Sequence, residues 1–166
     1  MRQLTVDVNV LIYGSVSGTE NHDECNSLMR CLEQSDRCGI VLDRDDRIYA
    51  QYKHHLAGKP YGLKWLRTMI DSGKTVYLPR ANIPSSKRVK LSEIGFVGED
   101  YDYYVRTCAS SCCRVITSHD SDFSRARWVL KKQLDIRIQH ASGAEEFARN
   151  GPCRSCDVTP VKSSPI

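Results

Sequence analysis

The sequence predicts an α/β fold, a three-layer sandwich in which a central, mostly parallel sheet of about five strands is flanked by helices. Three observations predict it. Short apolar runs rich in β-branched residues recur along the chain, at residues 3–12, 39–42, 75–78, 115–117 and 136–138. Between them lie stretches whose apolar residues fall three and four apart, the spacing of one helix face. Strands alternating with helices at such intervals form a parallel sheet covered on both faces.

Each element has its own signal. Leu4, Val6 and Val8 open the first strand, and Gly14 to Gly18 reads as a loop. Cys25, Leu28, Met29 and Leu32 line a helix from Asn21 to Gln34. Gly39 to Leu42 is a buried strand, and Asp43 to Asp46 turns the chain. Ile48, Tyr52 and Leu56 stack four apart on a second helix that ends near Gly58 and Pro60. Leu63, Leu66, Met69 and Ile70 mark a third helix, stopped at Gly73. After the strand Thr75 to Leu78, the polar and basic stretch from Pro79 to Ser92 reads as a loop. Tyr101, Val105, Cys108 and Cys112 place a helix over about 98–113, followed by the strand Val115 to Thr117. A helix over 123–133, a strand over 136–138 and a helix over 144–149 complete the domain, which is expected to span residues 1–150. From Gly151 onward Pro, Ser and Cys without periodicity suggest a flexible tail.

Composition narrows the class. Hydrophobic residues make up 40% and charged residues 27%, so disordered, collagen-like and coiled-coil proteins are excluded. No apolar run approaches the ~20 residues of a membrane span. The opening MRQLTVDVNVLIYG is interrupted by Asp7 and Asn9 and lacks the apolar stretch of a signal peptide, so a cytoplasmic protein without membrane contact is expected. Of the eight Cys, most are expected to be small buried thiols, and the lone pair Cys153/Cys156 is short of the four ligands a structural zinc site takes.

The charge pattern carries the chemistry. The net charge of +4 says little, but its distribution says more. Asp7 falls at the end of the first strand, Asp120 just after VIT, and Asp102 in the first turn of the helix before that strand. In open α/β sheets the site lies beyond the carboxyl ends of the strands, so these three carboxylates are expected to converge there. Clustered carboxylates repel unless a cation sits among them or some take up protons. Oxygen-only ligands suit Mg²⁺ or Mn²⁺, which can activate a water and stabilise a phosphodiester transition state. Arg80, Lys87, Arg88, Arg125 and Arg127 are candidates for holding the rest of a nucleic-acid backbone. The same acids could instead cap helices, because Asp102 and Asp120 stand near helix starts. None of the five His has metal-ligand spacing, and His119 is expected at the surface. Tyr103 is a candidate for base stacking, although core packing or a dimer contact suits it better.

Three stretches resemble the PIN-domain nucleases. VDVNVLIYG is similar to the family's opening strand, which makes Asp7 a metal ligand and Asn9 a supporting residue. DYYVRTCASS is similar to the segment carrying the third acid, here Asp102. VITSHDSDF is similar to the segment in which Ser118, Asp120 and Asp122 are the counterparts. The resemblance covers about residues 3–148, and it implies catalysis by Asp7, Asp102 and Asp120, with Asp122 as a further ligand. It also implies RNA as substrate and a role as a toxin or antiviral-defence effector, with an antitoxin or defence-system partner, or a homodimer. LDRDDRIYAQYKHHL departs from the pattern, because Gln51 occupies the position of the family's second acid. One negative charge is lost there, so a catalytically weakened PIN-like module that binds RNA or a protein is the alternative reading. A third is an aspartate-dependent phosphatase, against which Asn9 argues, because such enzymes carry their acid Asp at that position.

Overall fold

The computed structural model describes residues 1–150, so the tail and Cys153/Cys156 lie outside the described residues. Five strands form one sheet: β1 (Arg2–Val6), β2 (Cys38–Asp43), β3 (Thr75–Leu78), β4 (Val115–Thr117) and β5 (Arg137–Gln139). Their order is β3-β2-β1-β4-β5 and every pairing is parallel. The helices are α1 (Val8–Ser15), α2 (His22–Gln34), α3 (Arg47–His55), α4 (Pro60–Asp71), α5 (Ser85–Ser92), α6 (Arg106–Ala109), α7 (Ser121–Leu134) and α8 (Ala141–Asn150), with a π-helical turn at Asp100–Val105 leading into α6. The expected three-layer α/β sandwich is therefore the observed one.

The path of the chain explains the layers. From β1 it moves outward through β2 to β3, then crosses back to β4 and on to β5 on the other side. Parallel crossovers are right-handed, so this reversal puts the two sets of helices on opposite faces. One layer holds α1, α2 and α4, with α8 packed on α2; the other holds α5, α6 and α7. The core of the sheet is buried, with β2 enclosed at all six positions and β1 at Leu4, Thr5 and Val6. Close approach of α1 to α2 depends on Gly14, where a Cβ would stand 2.5 Å from Met29 Sδ and 3.0 Å from the Cys25 backbone. Cys25, Cys31, Cys38 and Cys108 are buried free thiols, as expected.

Three local expectations are corrected. The first strand ends at Val6, and residues 8–15 are helical. A short apolar run suits a buried helix as well as a buried strand, and Asp7 stands at the N-cap that separates the two. The basic stretch expected to be a loop contains α5, anchored to the core by Leu91. The single helix expected over 98–113 is a π turn followed by one short turn of α-helix ending at Ala109. Among the described residues, no helix is long and apolar enough to cross a membrane.

Candidate active site at the switch point of the sheet

β1 and β4 are neighbours whose following connections leave toward opposite faces, and this opens a crevice at their carboxyl ends. Asp7 follows β1 and Ser118 to Asp120 follow β4, so the topology brings them together. The Asp7 N–H donates to Thr117 O at 2.9 Å, locking the two strand ends in register.

Asp7 is only 4% exposed, and its carboxylate makes no capping bond to α1. Instead Oδ2 accepts from Ser118 Oγ at 2.6 Å and from Asn9 Nδ2 at 2.8 Å. Ser118 Oγ accepts in turn from the Asp120 N–H at 2.9 Å, which ties the third residue into the same network. Two buried tyrosines pin the backbone on either side of Asp7. Tyr52 donates its hydroxyl hydrogen to Val6 O, and Tyr104 OH accepts from Val8 N at 3.3 Å. Burial pushes the Asp7 pKa up to about 7, with Ser118 opposing and the charges of Asp100 and Asp120 adding to the rise. Burial also pushes Asp100 up to about 6, reinforced by Asp120, Asp122 and Glu99. Asp7 and Asp100, raised by burial and by neighbouring acids, are short of positive charge.

The third acid of this cluster is Asp100, which corrects the expectation of Asp102. Asp102 accepts from Arg80 Nη1 at 2.6 Å and Arg106 Nη1 at 2.5 Å, and both its oxygens are thereby occupied. The reason lies in helix geometry. Residues four apart share a face, so Asp100 shares the face of Tyr104, which packs against the crevice, whereas Asp102 shares that of Arg106, which is partly exposed. That row was legible in the sequence, since Asp100, Tyr104 and Cys108 recur at intervals of four.

The remaining predicted residues divide. Asn9 and Ser118 hold Asp7, as the network above describes. Asp120 caps α7 by accepting from the Asp122 N–H at 2.7 Å. Asp122 is paired with Arg125 at 2.8 Å on the open rim of α7. Gln51 donates from Nε2 to Glu99 Oε2 at 2.7 Å, while its Oε1 is buried without a hydrogen-bond partner. Arg80 is not available to a nucleic-acid backbone, because Asp45 and Asp102 hold its guanidinium. Arg88 and Arg127 are exposed, and Lys87 lines a cavity elsewhere on the molecule. Tyr103 stacks under Arg80, its ring centroid 5.9 Å from the guanidinium carbon. His119 is not a surface residue. Its ring is nearly buried beside Glu24, and its Nε2 accepts from Ala141 N at 3.2 Å at the start of α8.

Among the described residues, no three His, Cys, Asp or Glu side chains stand as a ready-made cage for a metal ion. Mg²⁺ and Mn²⁺ do not require one. They keep several waters and bind through one or two carboxylates together with substrate oxygens. Asp7, Asp100 and Asp120 offer only oxygen donors and are short of positive charge, which is the chemistry such an ion accepts, and Gln51 Oε1 is a further buried oxygen without a hydrogen-bond partner. Asp43, though fully buried, is spent otherwise. It accepts from the N–H groups of Arg47 and Ile48 at 3.1 and 2.7 Å and so caps α3. Comparison with known proteins matches the chain to no family model and to no curated relative.

Proposed function

We infer that the protein is a metal-dependent endoribonuclease of the PIN type, hydrolysing RNA phosphodiester bonds at the crevice between β1 and β4. The observation that carries this reading is Asp7, a buried carboxylate pushed up to about 7 and held by Ser118 and Asn9 beside two further acids. Asp7, Asp100 and Asp120, with Gln51 Oε1, would hold Mg²⁺ or Mn²⁺. When bound, the ion supplies an activated water and positive charge at the transferring phosphate. The chain's own residues do the positioning: Ser118 and Asn9 orient Asp7, Tyr52 and Tyr104 fix its backbone, and Asp122 stays on the rim with Arg125.

The test is Mn²⁺-dependent cleavage of mixed single-stranded RNAs by the full chain beside the Asp7→Asn variant. Cleavage by the parent and none by the variant supports the proposal, whereas equal rates remove Asp7 from the mechanism. Gln51 favours a second reading, an RNA- or protein-binding module with a weakened site. In that case RNA binds but neither protein cleaves it. An antitoxin or defence partner belongs to the family resemblance and stands as part of this proposal.

A further inference from the structure

A cavity of about 340 Å³ opens where the end of α7 meets the segment before α5 and the start of β4. Lys87, Arg114 and Lys132 line it together with polar Asn82 and Gln133. Its one lining acid, Asp135, is held by Lys131 Nζ, which keeps the Asp135 pKa below the usual carboxylate range. Arg114 is steadied by donating from Nη1 to Leu134 O at 3.2 Å. Neither Lys87 nor Lys132 is in an ion pair among the described residues. One helical turn before Lys132, on the same side of α7, stands Trp128, 72% exposed. An indole left this open is unusual in a domain whose other tryptophan, Trp65, is buried and donates to Met29 O at 2.7 Å.

We propose that Trp128 and the Lys87–Arg114–Lys132 cavity form a binding site for single-stranded nucleic acid, with a base stacked on the indole and its neighbouring phosphate in the cavity. Charge favours this occupant, because three cations face the cavity and its acid is already neutralised. Arg127, which is in no ion pair among the described residues, adds further positive charge along the same helix. Single strands are favoured over duplex because only an unpaired base offers a free face to the ring. The site lies at the amino ends of β4 and β5, opposite the acidic crevice. The 14 residues of α7 separate the two by about 20 Å at 1.5 Å per residue. Binding here does not depend on the acidic cluster being catalytic.

The experiment is titration of the full chain with a fluorescently labelled ten-residue oligouridylate, with divalent ions chelated, read by anisotropy at several salt concentrations. Unlabelled oligonucleotide should quench tryptophan emission, and the quench reports Trp128 because Trp65 is enclosed. Trp128→Ala should weaken binding about fivefold or more, and Trp128→Phe should retain most of it. Lys132→Glu and Lys87→Glu should each weaken binding and lower the salt slope by about 0.7 for every phosphate left without its cation. Unchanged affinity in Trp128→Ala and Lys132→Glu, with circular dichroism showing both folded, overturns the proposal. So does quenching by inorganic phosphate alone, or binding lost in Asp7→Asn but not in Trp128→Ala. Binding intact without cleavage in Mn²⁺ would defeat the catalytic reading and leave this one standing.

Discussion

Replacing Asp7 by Asn should stabilise the protein at alkaline pH. The unfolded chain ionises Asp7 near 3.8, and the folded protein does so near 7. The folded state therefore keeps a proton that the unfolded state gives up. Below about pH 3.8 both forms are protonated and no penalty exists. Between there and pH 7 stability falls, and above pH 7 the full penalty applies. A difference of that size corresponds to about 4 kcal/mol as an upper limit, or roughly 8–16 °C in Tm for a chain of this size. Asn can keep the local bonds, because Ser118 and Asn9 both donate to one oxygen, which a carbonyl supplies. Its amide would then face the carboxylates of Asp100 and Asp120. Thermal melts of parent and Asp7→Asn from pH 4 to pH 8.5 check this. The curves should meet near pH 4 and separate steadily above it, with the variant higher. Added Mn²⁺ should close the gap by raising the parent alone, since an ion that binds only the folded state stabilises it. A variant that melts at or below the parent at pH 8 would show that the buried carboxylate is not under strain, and the argument for a cation-seeking site would fail with it.

Three further outcomes follow from the same geometry. Gln51→Glu sets a carboxylate against Glu99 in place of the 2.7 Å hydrogen bond, so it should lower the Tm without metal and raise Mn²⁺ affinity; calorimetry showing no gain in affinity counts against Gln51 as a member of the site. Asp100→Asn should weaken Mn²⁺ binding, whereas Asp102→Asn should leave it unchanged and cost about 1 kcal/mol by releasing Arg80 and Arg106; the reverse pattern in calorimetry and melts would restore Asp102 to the site. Burial holds the His119 pKa below 6.5, so its contribution is present above that pH and is lost as pH falls through the lowered value. The protection factor of the Ala141 amide against hydrogen exchange should fall on acidification as Nε2 stops accepting, and a pH-independent protection factor would contradict this.

The sheet was legible in the sequence because parallel strands buried on both faces read as plain apolar runs. Four of the five expected strands lie where the runs of residues 39–42, 75–78, 115–117 and 136–138 put them, to within a residue or so. The first ran too long because the apolar residues of α1 are packed on α2 and the sheet rather than alternating with solvent. α5 was missed because Val89 is half exposed and Leu91 alone reaches the core, which leaves almost no periodicity to detect. At the site, Asp7 and Asp120 were readable from their positions at strand ends, and Ser118 from the resemblance of VITSHDSDF. The motif resemblance pointed to Asp102, and the signal that separates the two acids is the row of four-residue intervals that joins Asp100 to Tyr104 and Cys108. Of the supporting tyrosines only Tyr52 was read on a core-facing helix row, and the bonds of Tyr52 and Tyr104 to Val6 and Val8 belong to tertiary packing that no local pattern encodes.

The bond between Ser118 and Asp7 joins residues 111 positions apart. During synthesis Asp7 is made 111 residues before Ser118. At roughly 5–20 residues per second, about 6–22 s separate the two on the ribosome. Until β4 emerges and docks against β1, the early aspartate has no hydroxyl to hold it and no companion acid from Asp120. A growing chain thus stays chemically incomplete at this crevice throughout that interval, and whatever the crevice does begins only once both segments have left the ribosome and paired.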